Sequence, residues 1–290
     1  MRILVTGASG TVGGEVLRQL LAAGHTVRAL TRDPGRAGLP EAAEVLRGDL
    51  TAPETLTGVF ENVDRLFLAP AFAVSATVND VLVTATAAGL RRIVTLSSGA
   101  VVEDEPGYGD ADYHHADEVT VEQAVEAAGV EWTHVRAGEF MANTLDWAPA
   151  IRTTGVVRSP FGKIASGMVH EADIAAVAIA ALTEDGHHGA KYVLTGPELI
   201  TPPEQVAAIG AAIGRDLRFE AISPDQARAD WLAQGYGRTF VEWMLGPEDA
   251  PVSESDLVGA AELTDDVERV LNRPARTYAR WAADHADDFR

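Results

Sequence analysis

The 290-residue chain predicts an α/β fold, a doubly wound parallel Rossmann sheet with a smaller, mostly helical carboxyl-terminal substrate lobe. Three observations carry that expectation. Arg2-Ile3-Leu4-Val5 runs into Thr6-Gly7-Ala8-Ser9-Gly10-Thr11-Val12-Gly13 and then into the amphipathic stretch Glu15 to Leu21, which reads as strand, glycine turn and helix. Strand-like runs then alternate with helical patterns through the first two-thirds of the chain, as a parallel sheet covered by helices requires. From Pro197 the composition changes to helices rich in alanine and acids, punctuated by Pro202-Pro203, Pro224, Pro247 and Pro251.

The first helix ends near Gly24, and His25 to Thr31 forms a second strand, completing a βαβ unit. Glycines spaced three apart let the backbone approach a pyrophosphate, whose charge meets the free N–H groups and positive end of the helix. Gly7, Ser9, Gly10, Thr11, Val12 and Gly13 are therefore candidate cofactor contacts. Glycines also serve ordinary turns, so it is the βαβ context that gives this loop its meaning. Ala43 to Arg47 is a third strand closed by Gly48-Asp49-Leu50, a helix follows near Pro53 to Phe60, and Arg65 to Ala69 is a fourth strand. Val78 to Ala88 reads as a helix ended by Gly89, and Arg92 to Leu96 as a fifth strand opening into Ser97-Ser98-Gly99. A long helix runs from about Tyr113 to Ala128, and Glu131 to Arg136 is a sixth strand. After a helix from Asp173 to Thr183, Lys191 to Thr195 returns to the sheet as a seventh. Residues 1–140 with 170–196 form the expected Rossmann domain, and 141–169 with 197–290 the substrate lobe. The terminal Ala282 to His285 reads as a solvated helix end.

With 47% hydrophobic and 23% charged residues the chain has a globular profile. It offers no apolar run of membrane-spanning length and no secretory signal, so a cytoplasmic location is expected. Cysteine is absent, which removes disulfides, thiolate nucleophiles and zinc–thiolate sites, so redox chemistry must be borrowed from a cofactor. A formal charge of −20 repels nucleic-acid backbones and anionic membranes, and neither is expected as a partner. The adjacent His187 and His188 read as solvated, His134 as packing and His170 as support for a helix start, so no metal is expected. Without Gly-x-Ser-x-Gly or His-Glu-x-x-His, hydrolase chemistry has no footing.

Thr6-Gly7-x-x-Gly10-x-x-Gly13, Arg32-Asp33-Pro34, Gly48-Asp49-Leu50, Leu96-Ser97-Ser98 and Trp132-Thr133-x-x-Arg136-Ala137-Gly138-x-Phe140-Met141-x-Asn143 follow in this order. His170-Glu171-Ala172-Asp173, Tyr192-x-Leu194-Thr195-Gly196-Pro197, Leu263-Thr264-Asp265-Asp266 and Arg273-Pro274 continue the series. Together they resemble the NmrA-like family of atypical short-chain dehydrogenases/reductases over nearly the whole chain. The resemblance implies an NAD(P)-binding Rossmann fold. It admits two kinds of function: NAD(P)H-dependent quinone or azo reductases, and nucleotide-binding regulators without turnover.

An NAD-selective site places an acid at the end of the second strand, where this chain has Thr31 followed by Arg32. The planar guanidinium suits the 2′-phosphate of NADP, with Arg36 as a second contact; Asp33 keeps NAD open. Asp49 resembles the family's adenine contact, against the reading of a turn aspartate. Leu50, Ala69, Pro70 and Ser97, at strand ends, complete the cofactor candidates.

The Tyr-x-x-x-Lys pair of ordinary superfamily members is missing: Tyr113 is followed by Asp117 and Tyr108 by Asp112. Where several relatives hold lysine stands Glu118, with His114 one turn earlier on the same helix face. His114 is the candidate proton donor and Glu118 the group that orients it or the nicotinamide ribose, set against the blander reading of a solvated acidic helix start. Phe72, Tyr108, Phe140, Met141 and Asn143 are candidate substrate-pocket residues, joined by Trp147 and Phe161. Trp231, Tyr236, Phe240 and Trp243 either cap the cavity or pack the lobe.

The leading expectation is an NADPH-dependent reductase of quinone-like or other conjugated acceptors, which need little acid catalysis because their reduction products are stable anions. An NAD(P)-sensing regulator is the alternative. A pathway-specific reductase or isomerase is a third, with His114 or Tyr108 giving the proton. A homodimer and a regulatory protein partner are left open.

Overall fold

Ile3, Leu4 and Val5 of β1 (Arg2–Val5) are fully buried, as a strand covered on both faces must be. The computed structural model describes residues 1–70, 74–101, 115–248 and 262–290. Around β1 lie β2 (Thr26–Thr31), β3 (Glu44–Arg47), β4 (Arg65–Leu68), β5 (Arg92–Ser98), β6 (Glu131–Ala137) and β8 (Ala190–Leu194). They form a seven-stranded parallel sheet in the order β3-β2-β1-β4-β5-β6-β8. The order reverses at β1, which pairs with β2 on one side and β4 on the other, so the crevice beyond its carboxyl end is the topological switch point.

The helices of this unit are α1 (Thr11–Ala22), α2 (Val78–Ala87), α3 (His115–Ala127), α5 (Glu171–Thr183) and α9 (Asp266–Leu271). On one face, α2 and α3 bury Val78, Val81, Leu82, Val121 and Val125 against Leu4, Leu66, Leu68 and Ile93. On the other, the alanine-rich α5 packs closely against α1 and crosses β4, β5 and β6. Two of the buried charges are paired as follows: Asp173 of α5 accepts from Arg273 at 2.6 Å, and Arg92 meets Glu131 at 2.6 Å.

The parallel Rossmann architecture is thus as expected, with differences in detail. Pro53–Leu56 is a single 3₁₀ turn and no helix reaches Phe60, because Gly58 takes a left-handed conformation that ends it. β5 runs on through Ser97 and Ser98, paired with Arg136 and Ala137. Thr264–Ala275, expected in the second lobe, belongs to the first unit with Met1–Phe140 and Glu171–Thr195. It is held there by the Asp266 carboxylate, which accepts from the Val193 N–H at 2.7 Å.

The second unit comprises Met141–His170, Gly196–Leu263 and Arg276–Arg290. It contains α4 (Ala148–Thr154), α6 (Pro202–Ile213), α7 (Pro224–Ala233), α8 (Arg238–Leu245), α10 (Tyr278–Asp284) and α11 (Ala286–Phe289). It also holds a parallel pair that the helical composition did not announce, β7 (Val156–Ser159) with β9 (Arg218–Ala221). Its core gathers Ile151, Val206, Ile209, Tyr278, Trp281 and Phe289. The expected solvated end holds at Ala283 and Asp284, which are exposed, but not at Ala282 or the residues on its helix face. Tyr278, Trp281, Ala282 and Phe289 are fully buried, because their helical spacing makes an apolar stripe that draws the segment inward. Among the described residues, no helix is long and apolar enough to cross a membrane.

Candidate functional site

The carboxyl edge of the sheet in the first unit is built on Thr6. Its hydroxyl donates to the Phe67 carbonyl at 3.1 Å and accepts from the Ala69 N–H at 2.8 Å, locking the ends of β1 and β4 together. The chain then turns through Gly7 at φ +61° and closes with a bond from the Gly10 N–H to the Gly7 carbonyl at 2.9 Å. A Cβ on Gly13 would lie 2.2 Å from the Gly7 carbonyl oxygen, so only glycine lets the first turn of α1 rest on the loop. Gly7, Ser9, Gly10 and Thr11 are exposed, while Val12 and Gly13 are buried beneath them.

Helix α1 starts at Gly10 with no side-chain cap and no acid in its first turn, which leaves its N–H groups and positive end directed outward. The residues present therefore fit a dinucleotide pyrophosphate: a cradle without side chains, at the switch point, with donors and no competing carboxylate.

At the end of β2, Arg32 and Arg36 are exposed, and Asp49 lies near enough to feel the charge of Arg32. The Asp49 carboxyl is held below its ordinary pKa, first by the Thr51 hydroxyl and N–H, which it accepts at 2.7 and 2.9 Å, and then by Arg32. This is an Asx turn, and it leaves an ionised carboxylate half-exposed at the same corner as Arg32. Leu50 contributes no exposed side chain. It packs in the core with Leu30 and Leu56, and its carbonyl accepts from Thr77 at 2.7 Å.

On the far side of the switch point, Ala69 and Pro70 are half-buried at the end of β4. The side chain of Ser97 is buried on the α3 side of the sheet, beside Glu122. Glu118 is half-buried, and its Oε2 is enclosed without a hydrogen-bond partner. The candidate residues Phe72, Tyr108 and His114 lie outside the described residues, as does the side chain of Trp243.

Phe140 is half-buried at the last position of the first segment, and Asn143 is exposed in the second unit. Met141 is corrected: it is 1% exposed and belongs to the core of the second unit, where its N–H donates to Val169. Trp147 packs against the same core, and Phe161 packs on Trp231 at 6.1 Å. Tyr236 and Phe240 stack at 5.3 Å and remain partly exposed.

A group of residues that motif reading passed over lies between α3 and the sheet. Glu122 takes a two-pronged bond from Arg136 at 3.0 and 2.6 Å, with both side chains under a tenth exposed. Burial pushes the Glu122 pKa up, but the two bonds from Arg136, the nearby Ser97 hydroxyl and the Arg136 charge outweigh it, leaving the carboxyl lowered. His134 is fully buried. Burial, with Lys191 and Arg136, lowers its pKa against the opposing pull of Glu122 and Glu126. Ligand atoms of Glu122, Glu126 and His134 lie within 4.8 Å of one another, yet Arg136 and Lys191 already neutralise the two carboxylates, so an added cation would have to displace them. The available signal was the spacing Glu118, Glu122, Glu126, one helix face opposite the alternating His134 and Arg136. The adjacent histidines are also less free than expected: His187 bonds the Tyr192 hydroxyl at 2.7 Å and His188 accepts from the Trp132 N–H at 3.2 Å.

Residues 1–248 match the model of the NmrA-like family. The chain belongs to this family. Among curated relatives it is 40% identical, over 99% of each chain, to a (4-alkanoyl-5-oxo-2,5-dihydrofuran-3-yl)methyl phosphate reductase from Streptomyces griseus. It is 34% identical, again over 99% of each, to an NAD(P)H azoreductase from Xenophilus azovorans. An NADPH-dependent quinone oxidoreductase from Escherichia coli, solved with NADPH, shares the fold with a TM-score of 0.75 at 22% identity, over 98% of this chain and 99% of that one. The NmrA-like assignment accounts for the order of motifs from the glycine loop to Tyr192-x-Leu194-Thr195-Gly196-Pro197.

Proposed function

We propose that this NmrA-like protein is an NADPH-dependent reductase that delivers a hydride to a conjugated small-molecule acceptor. The observation that carries the reading is the uncapped, glycine-lined start of α1 at the switch point, with Arg32 exposed at the end of β2. Gly7, Gly10 and the first N–H groups of α1 would hold the pyrophosphate, Arg32 the 2′-phosphate, Asp49 the adenine and Ala69 with Pro70 the nicotinamide side. When bound, NADPH supplies the hydride. The relatives support the acceptor class, since a quinone, an azo compound and an acylated dihydrofuranone all spread the incoming electron pair over a conjugated system. Such acceptors tolerate a site in which Glu118 stands in place of lysine.

The charge of −20 and the nature of the relatives favour a small-molecule substrate in the cytoplasm over nucleic acid or membrane. The deciding experiment mixes purified protein and NADPH with a panel of quinones, azo dyes and acyl-dihydrofuranones and follows loss of the reduced nicotinamide absorbance. Turnover with at least one class is expected. Tight NADPH binding without oxidation by any of them would overturn the reductase reading and leave the cofactor-sensing one, with a partner protein captured in only one redox state.

A further inference from the structure

The strand pattern is broken where α3 crosses β5 and β6. A parallel strand buried between helices is ordinarily apolar on both faces, yet Thr95 and Ser97 on β5 and His134 and Arg136 on β6 all face α3. Facing them from α3 are Glu118, Glu122 and Glu126, one turn apart and about 6 Å from each other along the helix axis. Helix α3 starts after the carboxyl end of β5 and finishes before the amino end of β6. Glu118 therefore stands toward the cofactor edge and Glu126 toward the opposite edge, about 12 Å away.

Two facts give this seam a direction. Its middle is polar but unsatisfied: Thr95 Oγ1, Ser97 Oγ, Glu118 Oε2 and both ring nitrogens of His134 are buried without a well-formed hydrogen bond. Ser97 nevertheless sits near enough to Glu122 to help lower its pKa, so a small rotation of the hydroxyl completes that bond. Native interiors satisfy such clusters with bridging water. Its outer end opens to solvent. Glu126 is about one-third exposed and lines a cleft of about 650 Å³ with Arg91, Glu131, Trp132 and His188. Glu126 Oε1 lies 3.4 Å from His134 Nε2 and 3.0 Å from Lys191 Nζ, so it stands between the solvent-side cation and the buried ring. The cleft is a poor ligand site, because Trp132 already stacks on His134, carries Lys191 over its ring and meets His188 at its edge.

We propose that the seam is a proton inlet: Glu126 collects protons from the cleft, His134 passes them inward, and Thr95 and Ser97, bridged by water, carry them to Glu118. The Glu122–Arg136 pair, fixed by its own bonds, keeps the interior polar without moving a proton. Burial disfavours the charged His134 ring, so a proton accepted on one ring nitrogen is released from the other, as a relay requires. The conduction stands by itself; its purpose rests on the reductase reading. Each reduction adds one hydride and one proton to the acceptor and leaves the oxidised nicotinamide. The proton leaves Glu118 and is replaced from water through His134 and Glu126, so no residue is changed after a turnover.

The test begins without cofactor. In protein with isotope-labelled histidine, the His134 ring N–H should exchange with water within milliseconds, and Glu126→Gln, at a partly exposed position, should slow this several-fold. A ring N–H that persists for seconds, or exchange that Glu126→Gln leaves unchanged, overturns the inlet. With NADPH and a quinone, Glu126→Gln should bind NADPH normally, turn over several-fold more slowly with a larger solvent deuterium isotope effect, and recover when imidazole is added. If the wild type exchanges quickly through Glu126 but oxidises no NADPH, the reductase reading fails and the inlet stands.

Discussion

Arg32 tests the cofactor assignment at a single side chain. It is exposed and shares its corner with the ionised Asp49, so its removal costs no core packing and changes only what a ligand meets there. A charge-assisted bond to a phosphate is worth about 1.5–3 kcal/mol. Arg32→Ala should therefore weaken NADPH by roughly 10–100-fold while leaving NADH within a factor of about two, as titration of nicotinamide fluorescence would show. His134 makes a second prediction, about pH. Its folded pKa lies below its unfolded value of about 6.5, so the unfolded chain binds the extra proton first. The stability of the neutral ring is complete above that value and is lost as pH falls toward the lowered folded one. Glu122, also lowered, loses its contribution further down, once pH falls below the ordinary carboxyl range. Urea midpoints measured from neutral pH downward should decline in two stages, and His134→Gln should flatten the upper stage alone.

The element that decides whether anything binds is the turn from β1 into α1. Gly13→Ala would drive a Cβ to 2.2 Å from one backbone atom and 2.6 Å from another of Gly7, and backbone cannot swing aside as a side chain tip can. The variant should lose NADPH binding in the same titration. Gly24→Ala, at φ +78° with open space around it, should cost about 1 kcal/mol and keep binding. This turn was legible in the sequence because three glycines, a strand and an amphipathic helix all state the same geometry. The succession of strands along the chain was legible for a similar reason, since each buried strand is a short apolar run with a turn signal at its end. β7 and β9 were not, because four-residue strands in an alanine-rich region carry too few side chains to show a period. Met141 misled because its place just beyond a strand suggested a pocket wall, and only the packing of Tyr278 and Trp281 reveals that it closes a core. The seam under α3 was missed because its residues belong to two strands and a helix and form no linear motif, although the acidic spacing on α3 was there to be read.

For the molecule as a whole, the net charge of −20 sets a problem that the local site must overcome, because the proposed ligand is itself an anion. At low ionic strength the field of the chain reaches far, with a Debye length of about 30 Å at 0.01 M salt, and it slows the approach of NADPH before any contact forms. At 0.15 M the length is about 8 Å, so the distant carboxylates fall silent while Arg32 and the start of α1 still act at contact range. Stopped-flow association of NADPH should therefore quicken as salt rises over this interval. The dissociation rate should increase more gently, since only contact-range bonds are being screened. A neutral quinone should associate at a rate that salt barely alters, which separates the field from any effect of salt on the fold. Association that slows steadily with salt from the lowest concentration would mean that the positive corner at Arg32 already governs the approach, and that the acidic surface is turned away from the path of the cofactor.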